Sequence, residues 1–174
     1  MAKNCVRSSA GSTHAILTVR RFLAPPVTES LQSSVFGLLQ LNHELPEYPA
    51  YGTDLAIPEY GSISISLGAN PDDEPDWPSF LRVAEESHPV LLHHEPTIRQ
   101  QAASRIVTLY CDYHENEWRG TATELLAHLR LEHLNYFADG SFELWYSGDD
   151  PFECHDIRIE LDADMRISEV VIDG

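Results

Sequence analysis

Residues 132–174 read EHLNYFADGSFELWYSGDDPFECHDIRIELDADMRISEVVIDG, and this stretch decides the fold. Asp139-Gly140 accepts positive φ at low cost, so it predicts a tight hairpin turn. Beyond it, Phe142, Leu144 and Tyr146 alternate with Glu143 and Trp145. Further on, His155, Ile157, Ile159 and Leu161 alternate with Asp156, Arg158 and Glu160. A side-chain period of two with apolar residues on one face is the pattern of a half-buried strand. Ile167 to Ile172 supplies a last strand. The expectation is a four-stranded antiparallel β-meander with a polar face dominated by carboxylates.

Working outward, helices come before this meander. Ser79 to Glu86 predicts a short helix that stops at His88-Pro89. Thr97 with Gln100 forms a capping-box pattern behind Pro96, opening a helix on which Ile98, Ala102, Ile106, Leu109 and Tyr113 recur. Thr121 with Glu124 is a second capping box, and Leu125, Leu126 and Leu129 are expected to face inward. Asn70 to Pro78, with three prolines and four acids, predicts a connector. It divides an N-terminal strand-helix-strand region (1–70) from an acidic helical and meander region (71–174), unless the two form one continuous domain. In the first region His14 to Phe22 predicts a strand. Thr28 predicts the N-cap of a helix carrying Leu31, Val35, Leu38 and Leu39 on one face. The proline-, tyrosine- and glycine-rich run from His43 to Tyr60 predicts an irregular loop. Ser62 to Leu67 alternates serine with Ile63, Ile65 and Leu67. The fold class expected is α+β, an antiparallel meander packed with helices.

Composition narrows the function. A chain of 174 residues with three widely spaced cysteines (Cys5, Cys111, Cys154) has no disulfide framework, and no run approaches membrane-spanning length. Met1 to Ser12 contains no apolar leader core, so a cytoplasmic protein is expected. The net charge is −17, and residues 71–174 carry −16 of it. Phosphate binding requires cationic neutralisation, so nucleic acid is a poor direct partner; a basic protein surface is the natural one.

The candidate sites follow from the same charge. Nine histidines raise the question of a metal, but neither His93-His94 with His114 nor the pair His128 and His133 has a zinc-ligand spacing. Cys154-His155-Asp156 names three catalytic residue types, yet strand neighbours diverge, and catalytic groups must converge. His155 therefore predicts a core histidine hydrogen-bonded to the preceding turn. No phosphate loop or dinucleotide fingerprint is present. Neither an enzyme centre, a metal nor a cofactor is expected. The remaining candidate is the acidic face as a protein-binding surface: Glu143, Trp145, Asp156, Glu160 and Asp162, with Asp149, Asp150 and Glu153 at the turn. Asp156, Arg158, Glu160 and Asp162 are expected to share one side of one strand. Trp145 is either an aromatic anchor among those charges or an inward residue covered by Leu125 or Leu129.

The C-terminal half also resembles a bacterial family known only as a domain of unknown function. Its pattern is a helix followed by Leu-Tyr and Asn-x-x-Trp, then an acidic meander with Asp-x-Phe-x-x-His. The matching residues are Leu109-Tyr110, Asn116-Glu117-Trp118, Asp139-Gly140-Ser141-Phe142 and Asp150-Pro151-Phe152-Glu153-Cys154-His155, over residues 97–174. Where the family has Phe-Trp-Gly-His, this chain has Phe152-Glu153-Cys154-His155. The resemblance implies a fold and a neighbourhood, since similar proteins often lie in toxin-immunity loci. Together with the charge it leads to an expected function: a cytoplasmic immunity protein that neutralises a toxin, such as a basic nuclease. The alternatives are an acidic nucleic-acid mimic and a small metal-dependent hydrolase using His155 and the acidic turn.

Overall fold

Among the described residues, four strands precede one long helix and four follow it, and all eight join a single sheet in sequence order. The structure is a computed structural model describing residues 28–43, 49–69, 75–114, 120–148, 152 and 155–173. The strands are β1 (Ser30–Ser33), β2 (Gly37–Asn42), β3 (Ala50–Ile57), β4 (Gly61–Gly68), β5 (Leu129–Phe137), β6 (Phe142–Gly148), β7 (Asp156–Leu161) and β8 (Ile167–Asp173). Helices α1 (Trp77–His114) and α2 (Ala122–Leu126) lie between β4 and β5. Each neighbouring pair is antiparallel except β4 and β5, which run parallel. Parallel neighbours need a long crossover, and α1 with α2 supplies it. The protein is therefore α+β, and both halves of the chain contribute four strands to one sheet.

The hairpin at Asp139-Gly140 forms as expected, with Gly140 at φ 88° and Asp139 accepting from the backbone and hydroxyl of Ser141. The second capping box also forms, Thr121 and Glu124 exchanging hydrogen bonds at the start of α2. Three sequence expectations are overturned. Residues 28–42 make no helix; they form the β1–β2 hairpin. Its turn is closed by the Ser33 hydroxyl, which accepts from the Val35 and Phe36 backbone, and by Gly37 at φ 79°. The run from His43 to Tyr60 is not all loop, because Tyr51, Thr53, Leu55 and Ile57 alternate inward as β3 against β4. The helix does not stop at His88-Pro89 or restart at Thr97; α1 continues through both Pro89 and Pro96. The expected strand His14 to Phe22 lies outside the described residues.

Why α1 continues is visible in what it buries. A proline inside a helix costs about 3 kcal/mol or more, through a lost hydrogen bond and a clash with the preceding turn. Pro89 and Pro96 are seven residues apart and exposed. The opposite stripe, Phe80, Leu81, Ala84, Leu91, Ile98, Ala102 and Ile106, is buried against the sheet. Burying each large aliphatic side chain contributes about 1.5–3 kcal/mol, so this stripe outweighs two proline defects.

Polar residues within that stripe lock the helix in position. Glu85 accepts from the Ser33 hydroxyl at 2.6 Å and the Ser34 backbone at 2.8 Å, holding the β1–β2 turn. His88 is buried, with Nδ1 2.6 Å from the Tyr136 hydroxyl of β5. Glu95 has no exposed surface. Its carboxylate accepts from the Tyr60 hydroxyl in the β3–β4 turn and the Tyr146 hydroxyl on β6, both at 2.9 Å, and pairs with Arg99 Nε at 3.2 Å. Arg99 in turn donates to the Leu129 carbonyl at 3.2 Å, where β5 begins. Burial and the Glu95 carboxylate push the Tyr60 hydroxyl up to about 12 and raise that of Tyr146 well above its ordinary value, so both remain protonated donors.

Removing one member of such a buried centre leaves the others unpaired. Glu95→Ala is expected to lower unfolding free energy by about 3–5 kcal/mol, since it strands the Arg99 charge. Tyr146→Phe, which removes one donor, should cost about 1 kcal/mol. Urea denaturation of both variants checks the ordering; equal losses would show that Glu95 is not the hub.

Candidate functional site

Both helices pack on one face of the sheet, and among the described residues no element covers the other, here termed the open face. The covered face carries Ile63, Ile65, Leu67, Leu131, Leu134, Leu144, Tyr146, Ile157 and Ile159 in one core with α1 and α2. Residues directly opposed across a ladder share a face, so the register reads out the open side as rows. One row runs Asp54, Ser64, His133, Trp145, Arg158 from β3 to β7. The next runs Gly52, Ser66, Asn135, Glu143, Glu160, Glu169 from β3 to β8. The serine face of β4 thus lies beside the acidic strands. Trp145 belongs to the open side, so Leu125 and Leu129, both in the core, do not cover it.

The expected acidic face is built around a cation. Arg158 pairs with Glu160 at 2.8 Å, Asp173 at 3.0 Å and Glu143 at 3.3 Å, and lies 5.3 Å from the Trp145 ring centre. Partial burial disfavours its charge, but the three carboxylates outweigh that and raise its pKa. Glu143 is only 15% exposed and also accepts from Trp145 Nε1 at 3.0 Å and Asn135 Nδ2 at 2.7 Å. Glu143 and Arg158 therefore hold Trp145 from two sides. Asp156 is exposed; desolvation and the nearby Glu132 and Asp173 charges raise its pKa against the opposing pull of His155. Asp162 lies one residue past β7, where it caps the β7–β8 turn by accepting from the Asp164 and Arg166 backbone. Asp149, Asp150 and Glu153 lie outside the described residues.

One functional candidate was not visible in the sequence. His133 sits at mid-strand in β5, beside a bulge. The register passes from Leu131 opposite Tyr146 to His133 opposite Trp145, leaving Glu132 as the extra residue. A bulge places two consecutive side chains where alternation allows one. Glu132 and His133 both lie on the open side and line a pocket of about 210 Å³ with Ser64, Trp145, Ser147 and Asp156. A second hollow, over Ala50, Gly52, Ser64 and Ser66, adjoins it at Ser64 and His133. His133 Nε2 is buried without a hydrogen-bond partner. Its bond to Asn135 is therefore made by Nδ1, and in the tautomer whose Nδ1 donates to the Asn135 side-chain oxygen, Nε2 is an acceptor. Desolvation lowers the His133 pKa despite that bond and the Glu143 and Asp54 charges.

The motif residues of the resemblance build the scaffold at this end. Phe152 is fully buried, packs edge-on against Tyr110 at 5.5 Å, and lies so close to Gly148 that a Cβ there would meet its ring at 2.5 Å. His155 Nδ1 bonds the Phe152 carbonyl at 2.8 Å, the bond to the preceding turn that the sequence suggested. Among the described residues, no three His, Cys, Asp or Glu side chains are placed to hold a metal ion. Nor is any helix among them long and apolar enough to cross a membrane.

Residues 33–172 match a family model described as an uncharacterized protein conserved in bacteria (DUF2262), and the chain belongs to that family. The match begins at the end of β1, so the family extends over both halves of the sheet and not only the C-terminal part. No curated protein matches the chain, and no solved structure does.

Burial lowers the pKa of both His88 and His133 below the ordinary 6.5. The unfolded chain then binds protons near pH 6.5 that the folded chain refuses, so stability is complete above 6.5 and declines as pH falls below it. Thermal melts are expected to show this decline before the carboxylates titrate, and His133→Asn should make it shallower. A His133 midpoint at or above 6.5 by NMR titration would contradict the geometry.

Proposed function

We propose that the protein is a cytoplasmic immunity protein that binds and neutralises a basic toxin domain through the open face of its sheet. The observation that carries this reading is Trp145, a large aromatic side chain held by Glu143 and Arg158 on a face rich in carboxylates. Fixed aromatic groups surrounded by charge are the composition of binding hot spots. An immobilised indole also loses little further entropy on binding. The excess of negative charge in residues 71–174 supports a basic partner and gives it long-range attraction. The alternative, a nucleic-acid mimic, is less well supported, because it calls for regularly spaced free carboxylates. Here Glu143, Glu160 and Asp173 are all engaged by Arg158.

The charges available for steering are those Arg158 does not neutralise, chiefly the exposed Asp156 and Glu169. Stopped-flow association with the product of an adjacent toxin gene is expected to slow as salt rises, because the attraction is screened over about 8 Å at physiological ionic strength. Asp156→Asn with Glu169→Gln should slow it similarly, and cells carrying this variant should lose protection. Association indifferent to both salt and substitution would remove the open face from the interaction.

A further inference from the structure

The pocket beside Trp145 has a composition that specifies its occupant more narrowly than the charge of the face does. Its hydroxyl and indole donors are already used. Ser64 donates to Asp54 at 2.7 Å, Ser147 donates to Glu132, and Trp145 Nε1 donates to Glu143. The lining therefore offers acceptors: the free lone pairs of Ser64 and Ser147, the carboxylates of Glu132 and Asp156, and, in its Nδ1–H tautomer, the unpaired His133 Nε2. The only nearby cation on the same strand, Arg130, reaches Glu132 at 3.9 Å from an exposed position. Arg158 approaches the indole from β7, on the far side of Trp145 from His133.

We propose that this pocket accepts a single arginine side chain of the partner protein, its guanidinium donating to His133 Nε2 and to the Glu132 and Asp156 carboxylates, with its plane against the Trp145 ring. This deepens the partner-binding reading and rests on it for the source of the arginine. A guanidinium matches the site in three respects. It has five donors and no acceptor, so it meets acceptor-only walls without leaving a group unpaired. It is planar and stacks on aromatic faces, where an ammonium interacts as a compact point charge. Its donors spread over a fork, which suits acceptors contributed by β4, β5, β6 and β7. The acceptors are not gathered closely enough for a metal ion. The occupant enters from the solvent side, because the opposite side of the sheet is filled by the core.

The test needs no partner protein. The isotope-labelled full chain is titrated with N-acetyl-arginine-N-methylamide, and in parallel with the lysine and citrulline counterparts. The side-chain nitrogen signals of His133 and the indole NH of Trp145 are followed. The arginine compound is expected to shift both signals saturably. Citrulline, equal in shape but uncharged, should bind roughly tenfold more weakly or worse, as the loss of a charge-assisted hydrogen bond implies. Glu132→Gln with Asp156→Asn, both exposed positions, should abolish the shifts while the remaining spectrum reports an intact fold. Absence of any His133 shift up to the solubility limit overturns the proposal, as does equal response to arginine and citrulline, or lysine binding more tightly than arginine. A null result here removes the arginine pocket alone, whereas the association experiment judges the partner reading independently.

Discussion

A carboxylate without exposed surface, Glu95, ties together elements that are distant in the chain: the β3–β4 turn through Tyr60, β6 through Tyr146, and the start of β5 through Arg99. A buried charge is tolerated only where its partners are complete, so the position and rotation of α1 on the sheet are sharply constrained. Hydrophobic contacts alone would permit the helix to slide or turn with small losses, because aliphatic side chains tolerate repacking. Glu85 and His88 extend the same constraint to the β1–β2 turn and to Tyr136. The prolines that follow His88 and Glu95 lie on the solvent side, where the defect they introduce does not disturb this register.

Anchoring α1 to one face has a direct consequence for the other. A sheet with one side filled by helices presents its alternate side chains to solvent, and here those are polar, aromatic and charged. The parallel junction of β4 and β5 brings Ser64 beside His133, a neighbour 69 residues distant in sequence. The bulge at Glu132 then crowds two side chains into the space for one. Pocket, acceptors and indole all arise at this seam, where the two four-stranded halves meet.

The distribution of charge also acquires a structure. Taken as a list, the acids of residues 139–173 suggest a uniformly negative surface. In the fold, Arg158 draws three of them around itself and props Trp145, Asp139 and Asp162 close turns, and Asp156 with Glu169 remains directed to water. Some carboxylates therefore serve the architecture, and fewer are left for attraction.

The sequence by itself determined the local geometry of the C-terminal half. The alternation in β6 and β7, the Asp139-Gly140 turn, the Thr121 capping box and the bond from His155 to its preceding turn were all legible, because each depends on residues within a few positions of one another. Glu143 was legible on the polar face for the same reason, whereas the sequence left Trp145 between that face and a covered position. What only the tertiary structure decided depends on distant partners. Thr28 to Asn42 has helical spacing of leucines, yet it folds as a hairpin because α1 offers Glu85 to its turn and an apolar surface to Phe36 and Leu39. The two prolines read as helix ends until the buried stripe between and beyond them is counted against their cost. His133 carried no signal at all. Alternation puts Glu132 and His133 on opposite faces, and a bulge that reverses this is set by the pairing of β5 with β4 and β6, which no short stretch of sequence encodes.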